Sequence, residues 1–150
     1  MSDRTERVEL TTLCMAYRGE ELLLQERVKT DWRGYCFPGG HVEPGESIVD
    51  SVIREMKEET GLTVKNPKLC GIKQFPINGG RYLVFFFKTD TFKGELLDSE
   101  EGPVRWVSRV ELPNLNTVSD FMQMLEVFDR EELTEFQYVV DSGQWNVILR

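Results

Sequence analysis

From Val8 the chain alternates through Leu10, Thr12, Cys14 and Ala16, breaks at Arg18-Gly19, and resumes with Leu22, Leu23 and Leu24. A period of two predicts strands, and the break between them predicts a hairpin. A polar, aromatic-bearing loop is expected from Val28 to Tyr35. It leads to Phe37-Pro38-Gly39-Gly40, where paired glycines permit close backbone approach. Ile48, Val49, Val52, Ile53 and Met56 then recur at helical spacing, predicting a helix capped by Ser47 that runs to about Thr60 and stops at Gly61. Leu62–Val64, Leu69–Phe75 and Arg81–Lys88 read as strands. The run Leu83-Val84-Phe85-Phe86-Phe87 suits a strand covered on both faces. An acidic turn, Asp98–Gly102, precedes a short strand over Val104–Val107. Phe121, Met122, Leu125 and Phe128 predict a second amphipathic helix within Val118–Phe128. Phe136–Val140 and Trp145–Leu149 flank a turn and predict a C-terminal hairpin.

These elements interleave strands and helices, so an α/β (α+β) fold in one domain over residues 1–150 is expected. At this length a chain buries about 68 to 70% of its unfolded surface, enough for a core without staples. A metal would therefore serve function. The 18 Lys and Arg against 26 Asp and Glu give a net charge of −8, which opposes tracking of a nucleic-acid polymer. A small nucleotide accompanied by its own cation is compatible with that charge. Cys14, Cys36 and Cys70 fall in no metal-binding spacing and read as buried thiols of a reducing compartment. With no signal-like or membrane-length apolar run, a cytoplasmic protein without membrane contact is expected.

The candidate chemistry lies on the first predicted helix. With Glu55 at zero, Glu58 falls near roughly −60° and Glu59 near +40°, bordering a stripe of Val52, Met56, Val49 and Ile53 at about 60° to 160°. Like charges at these spacings oppose folding by about 0.2 to 0.5 kcal/mol per pair, and the C-terminal turn disfavours anions further. Local stability does not select them. A hard divalent cation such as Mg²⁺ would, because it takes carboxylate oxygens and bridges to phosphates. A solvated charged face is the alternative.

Gly40, Glu46, Arg54, Glu55, Met56, Glu58, Glu59, Gly61 and Leu62 together match the Nudix box. The chain therefore resembles the Nudix family, whose fold is an α/β/α sandwich with a mixed central sheet, and whose members hydrolyse nucleoside diphosphates linked to another moiety, using Mg²⁺ or Mn²⁺. The resemblance implies that Glu58 and Glu59 are metal ligands and that Glu55 is a ligand or the group that deprotonates or orients water. Arg54 would hold these carboxylates, and the Gly39 carbonyl would complete the metal shell. A further acid is expected in the acidic turn, with Glu101 first and Glu100 in reserve. His41, the single histidine, is assigned no catalytic role.

Length and the Phe37-Pro38-Gly39-Gly40 approach are similar to MutT-type members, which convert nucleoside triphosphates, 8-oxo-dGTP among them, to monophosphate and pyrophosphate. That likeness implies Phe37 in a base pocket, Gly40 against the substrate, Arg27 near phosphates or base, and Asn116 as a base-reading amide. Asn116 equally suits an N-cap for the second helix. The extended NADH-type and coenzyme-A-type signatures are missing. Pro76 falls one or two residues short of the proline typical of ADP-ribose-directed members, which makes ADP-ribose the runner-up. A non-catalytic nucleotide-binding module is a third reading, disfavoured by the intact Glu55, Glu58 and Glu59. The apolar C-terminal hairpin is expected to form a homodimer surface or to cover the core.

Overall fold

A computed structural model describes residues 2–29 and 32–150. The elements, in chain order, are β1 (Arg7–Arg18), β2 (Glu21–Arg27), β3 (Gly34–Cys36), β4 (Gly39–His41), α1 (Ile48–Thr60), β5 (Thr63–Lys65), β6 (Lys68–Ile77), β7 (Gly80–Thr89), β8 (Thr91–Lys93), β9 (Val104–Ser108), a 3-10 turn (Arg109–Asn114), α2 (Phe121–Asp129), β10 (Glu135–Asp141) and β11 (Gln144–Leu149). Nine strands form one curled mixed sheet whose main path is β11-β10-β6-β7-β1-β2-β3, with β4 added to β1 and β9 to β2. β5 and β8 make a separate pair.

Alternation along β1 and β2 divides the interior into two cores. Leu13, Met15, Leu22 and Leu24 pack with Phe121, Met124 and Phe128 of α2, whereas Cys14, Ala16 and Leu23 pack with Val52 and Met56 of α1. One helix therefore covers each face of the sheet, as the sandwich requires. At about 1.5 to 3 kcal/mol for each fully buried large apolar side chain, these two cores set the register of β1.

The expected first hairpin forms only at its tip, where Tyr17 pairs with Leu22 and Arg18 with Glu21. Beyond it the strands diverge. β1 continues against β7 and β4, and β2 against β3 and β9. This divergence makes room for a cavity. β7 runs between β6 and β1, as its unbroken apolar run predicts. The stretch expected as a loop yields β3 at its end, and Thr30 and Asp31 within it lie outside the described residues. Cys14 and Cys36 are buried, but Cys70 is only partly so.

Both helices depart in detail from expectation. On α1 the buried positions are Ser51, Val52, Met56, Glu59 and Thr60, while Val49 is exposed. The buried stripe is therefore rotated toward the acids, and Glu59 lies inside it rather than at its border. Ser47 caps α1 through Asp50, and Gly61 ends it in the left-handed region with φ 82°. α2 begins at Phe121, after Asp120 at φ 61°, so Asn116 is not its cap. Among the described residues no helix is long and apolar enough to cross a membrane.

Candidate active site

Arg54 is the hub of the acidic cluster. Its Nε and Nη2 donate to the two carboxylate oxygens of Glu46 at 2.7 and 2.9 Å, a bidentate pairing. Its Nη1 donates to Glu55 at 2.9 Å and Glu58 at 3.2 Å, and Nη2 also reaches the His41 carbonyl at 3.1 Å. One planar cation thus orients three carboxylates and ties α1 to β4. The guanidinium holds the Glu46 carboxyl down at about 2, and Glu46 in turn raises the Arg54 pKa further. Glu46, a member of the motif with no role inferred from sequence, is the anchor that aims Arg54.

Glu59 is 7% exposed and accepts from the Gly39 amide at 3.0 Å. Burial pushes its carboxyl up to about 8, opposed by the Gly39 hydrogen bond and reinforced by the negative charges of Glu55 and Glu101. Burial also raises Glu55, against the pull of Arg54. Glu101 is exposed in the turn before β9 and acts on Glu59 through its charge. Glu58, with its side chain 57% exposed, sits at the solvent margin of the cluster. Asp98 holds the same turn by accepting from the Val104 amide at 3.1 Å.

Gly39 and Gly40 bring this cluster to a cavity. A Cβ on Gly39 would lie 1.9 Å from the Thr12 carbonyl oxygen, and one on Gly40 would lie 2.6 Å from a Glu55 carboxylate oxygen. Only glycine at 39 allows β4 to approach the β1 backbone, and a side chain at 40 would displace the Glu55 carboxylate. Both glycines also line a cavity of about 1090 Å³, together with Thr12, Arg27, Trp32, His41, Lys73, Phe75, Tyr82, Asp120, Tyr138 and Trp145. The volume accommodates a nucleotide. Two backbone units thus stand between the acids and a ligand-sized space.

Most of the sequence-predicted residues converge here. Glu55, Glu58, Glu59 and Arg54 form the cluster, Glu101 faces it, and Gly39, Gly40 and Arg27 line the cavity. The Arg27 guanidinium lies 5.1 Å from the centre of the Trp32 ring, and its Nε donates to the Trp32 carbonyl at 3.2 Å. Phe37 does not join them. It is 0% exposed and packs on Phe121 and Phe128, with ring centres 5.1 and 4.6 Å away, so it belongs to the core beneath α2. Asn116 is exposed and does not line the cavity; its carbonyl accepts from the Tyr35 amide. Asp120, four residues later, occupies the wall instead.

Sequence reading missed Lys73, Asp120, Tyr138 and Trp145. For the three on strands, Lys73, Tyr138 and Trp145, register decides which face they take. Lys73 and Phe75 alternate on one face of β6, and their partners Val84, Tyr82 and Phe136 lie beside them, which a lysine at an apolar-parity position could have signalled. The C-terminal hairpin, expected as a dimer surface or core cover, supplies Tyr138 and Trp145 to the cavity wall.

Among the described residues no three acidic, imidazole or thiol groups form a ready-made metal cage. Glu55 and Glu59 nevertheless offer only oxygen donors, sit where burial disfavours an unneutralised carboxylate charge, and lie beside a backbone that lines the cavity. That donor set fits a hard divalent cation, which keeps several waters and takes further ligands from substrate phosphates.

A family model described as the NUDIX domain matches residues 8–128. The chain is 36% identical over 114 residues to the uncharacterized Nudix hydrolase YvcI of Bacillus subtilis, covering 72% of this chain and 71% of that protein. It is 32% identical over 114 residues to the mouse 8-oxo-dGDP phosphatase NUDT18, covering 72% of this chain but only 34% of that longer protein. The crystal structure of the mutator MutT protein from Bacillus halodurans superposes with a TM-score of 0.76 at 30% identity, covering 94% of this chain and 97% of that one. The matched domain, the shared fold and the Arg54-centred acids together establish that the chain belongs to the Nudix hydrolase family, enzymes that act on nucleotide pyrophosphates.

Proposed function

We propose that the protein hydrolyses nucleoside triphosphates, 8-oxo-dGTP among them, to nucleoside monophosphate and pyrophosphate with Mg²⁺ or Mn²⁺. The observation that carries this reading is the position of Gly39-Gly40, which adjoins the buried Glu59 and the partly buried Glu55 and lines the nucleotide-sized cavity. The likeness to an 8-oxo-dGDP phosphatase and to a MutT protein supports an oxidised purine nucleotide.

Glu55, Glu58 and Glu59 would hold the cation, with the Gly39 carbonyl and Glu101 as the added ligands. When bound, the cation neutralises phosphate oxygens and lowers the pKa of water. The chain's own residues do the rest. Glu55 accepts a proton from the attacking water, Arg54 fixes the direction of that carboxylate, and the Gly39 amide fixes Glu59. Arg27, which lines the same cavity, would meet the phosphates. In the reaction a water oxygen bonds to phosphorus, the bridging P–O bond breaks, and pyrophosphate departs with the electron pair. Pre-set groups of this kind suit phosphoryl chemistry, which needs positioning and charge neutralisation more than covalent help.

The test is hydrolysis of 8-oxo-dGTP, dGTP, the other triphosphates and ADP-ribose with Mg²⁺, both products being identified by chromatography. Monophosphate and pyrophosphate from a triphosphate are expected. AMP with ribose phosphate would transfer the assignment to ADP-ribose, and absence of turnover would make the cavity a binding module.

A further inference from the structure

Lys73 is anomalous as a packing residue. It is 4% exposed, yet among the described residues it forms no ion pair, and its Nζ has a single hydrogen-bond partner, the Met124 sulfur at 3.5 Å. Four rings surround the ammonium: Trp32 at 4.9 Å, Phe136 at 5.1 Å, Tyr138 at 5.3 Å and Phe75 at 5.8 Å from their centres. Ring faces attract a cation, but they leave its three N–H donors without oxygen acceptors. A buried charge of this kind costs free energy that an apolar side chain of the same length would avoid. The side chain lines the cavity, so a ligand can supply the missing acceptor.

Asp120 is the second anomaly on the same wall. A non-glycine residue at φ 61° is strained, and this one sits just before α2 with no capping hydrogen bond from its side chain. Its Oδ2 accepts from the Tyr138 hydroxyl at 2.5 Å, which aims the carboxylate and leaves Oδ1 without a protein partner among the described residues. Lys73 offers donors only, and Asp120 acceptors only. They lie near enough to interact electrostatically, yet they make no ion pair, so both remain available to a third group.

Resting on the nucleotide-hydrolase reading above, we propose that Lys73 and Asp120 select a 6-oxopurine: Lys73 donates to the ring carbonyl and Asp120 accepts from the adjacent ring N–H. The base would stack among the cavity aromatics, which include Trp145 and Tyr82. In the same register adenine would set its amino group against the ammonium and an unprotonated ring nitrogen against the carboxylate. Donor would meet donor and acceptor would meet acceptor, leaving buried polar groups unpaired. Discrimination between keto and amino purines follows from that double mismatch. An 8-oxo group leaves this edge unchanged, so the pair reads guanine as guanine whether oxidised or not.

The experiment compares wild type with Lys73→Met on dGTP, dITP, 8-oxo-dGTP and dATP. Binding of dGMP and dAMP, followed by quenching of tryptophan fluorescence, is measured in parallel. In the variant, kcat/KM for the three 6-oxopurines should fall together by about 10- to 100-fold, and their advantage over dATP should collapse. Inclusion of dITP separates the carbonyl from the 2-amino group, which it lacks. Asp120→Asn, which retains an acceptor and adds a donor, should shift preference several-fold toward dATP. Equal losses on dGTP and dATP in Lys73→Met, or unchanged dGTP turnover, would overturn the assignment. The monophosphate titrations need no hydrolysis. Lys73-dependent preference for dGMP in a protein that turns over no triphosphate would uphold the base assignment while overturning the hydrolase reading. Triphosphate hydrolysis without that preference would do the reverse.

Discussion

The acidic cluster and the aromatic cavity meet at Gly39-Gly40 but are built in opposite ways. Around Arg54 nearly every polar atom is paired: one guanidinium serves Glu46, Glu55, Glu58 and the His41 carbonyl. Around Lys73 a cation is wrapped in carbon and sulfur. The first arrangement fixes geometry for chemistry that is the same for every substrate. The second leaves hydrogen-bonding capacity open, which suits discrimination between substrates. On the proposed assignment, pairing marks the reaction centre and lack of pairing marks recognition.

The largest effect expected from disturbing this division is Glu58→Gln. Its exposed side chain can change without harm to the core, and turnover should fall about 10³-fold while the melting temperature holds. Normal turnover by a folded variant would remove Glu58 from the reaction centre.

Phe37→Ala separates core from cavity. Loss of a fully buried phenyl ring should cost about 3 to 5 kcal/mol in urea denaturation. The dGTP-to-dATP preference should survive, and its loss would return Phe37 to the base pocket.

Lys73→Met should stabilise the protein below pH 8. Burial lowers the Lys73 pKa from 10.5 to about 8, so between these values the unfolded chain binds more protons and wild-type stability rises with pH. At about 1.4 kcal/mol per pKa unit, the variant should gain on the order of 3 kcal/mol at pH 7, and the gain should vanish above pH 10.5. Chemical denaturation across this pH range checks the sign. A destabilised variant at pH 7 would show that the ammonium is satisfied in the free protein.

Glu101→Gln should produce the smallest change, a loss of about tenfold in kcat, because Glu101 acts on Glu59 from an exposed turn. If activity does not change, Glu100 becomes the acid to test.

The same contrast explains what could be read from the sequence. The proposed reaction centre is carried largely by Gly40 to Leu62, where helical spacing places Arg54, Glu55, Glu58 and Glu59 together and Gly39-Gly40 opens the backbone. A contiguous motif carries its own geometry. Even so, burial of Glu59 depended on how α1 turns on the sheet, and periodicity placed it one step too far toward solvent. The cavity draws on β1, β2, β4, β6, β7, β10, β11 and the residues just before α2, so no local pattern contains it. Phe37 and Asn116 enter through the family likeness alone, and packing sends one to the core and the other outside the wall. Arg27 is legible through the likeness to MutT-type members, and its place at the end of β2 brings it to the cavity wall. Short strands such as β4 and β8 depend on pairing partners and left no periodic trace.

The most direct test measures kcat/KM for dGTP and dATP side by side in wild type, Glu58→Gln and Lys73→Met. Glu58→Gln should lower both values by the same factor, and Lys73→Met should erase the preference between them. A changed preference in Glu58→Gln, or a uniform loss in Lys73→Met, would contradict the division between reaction centre and recognition site.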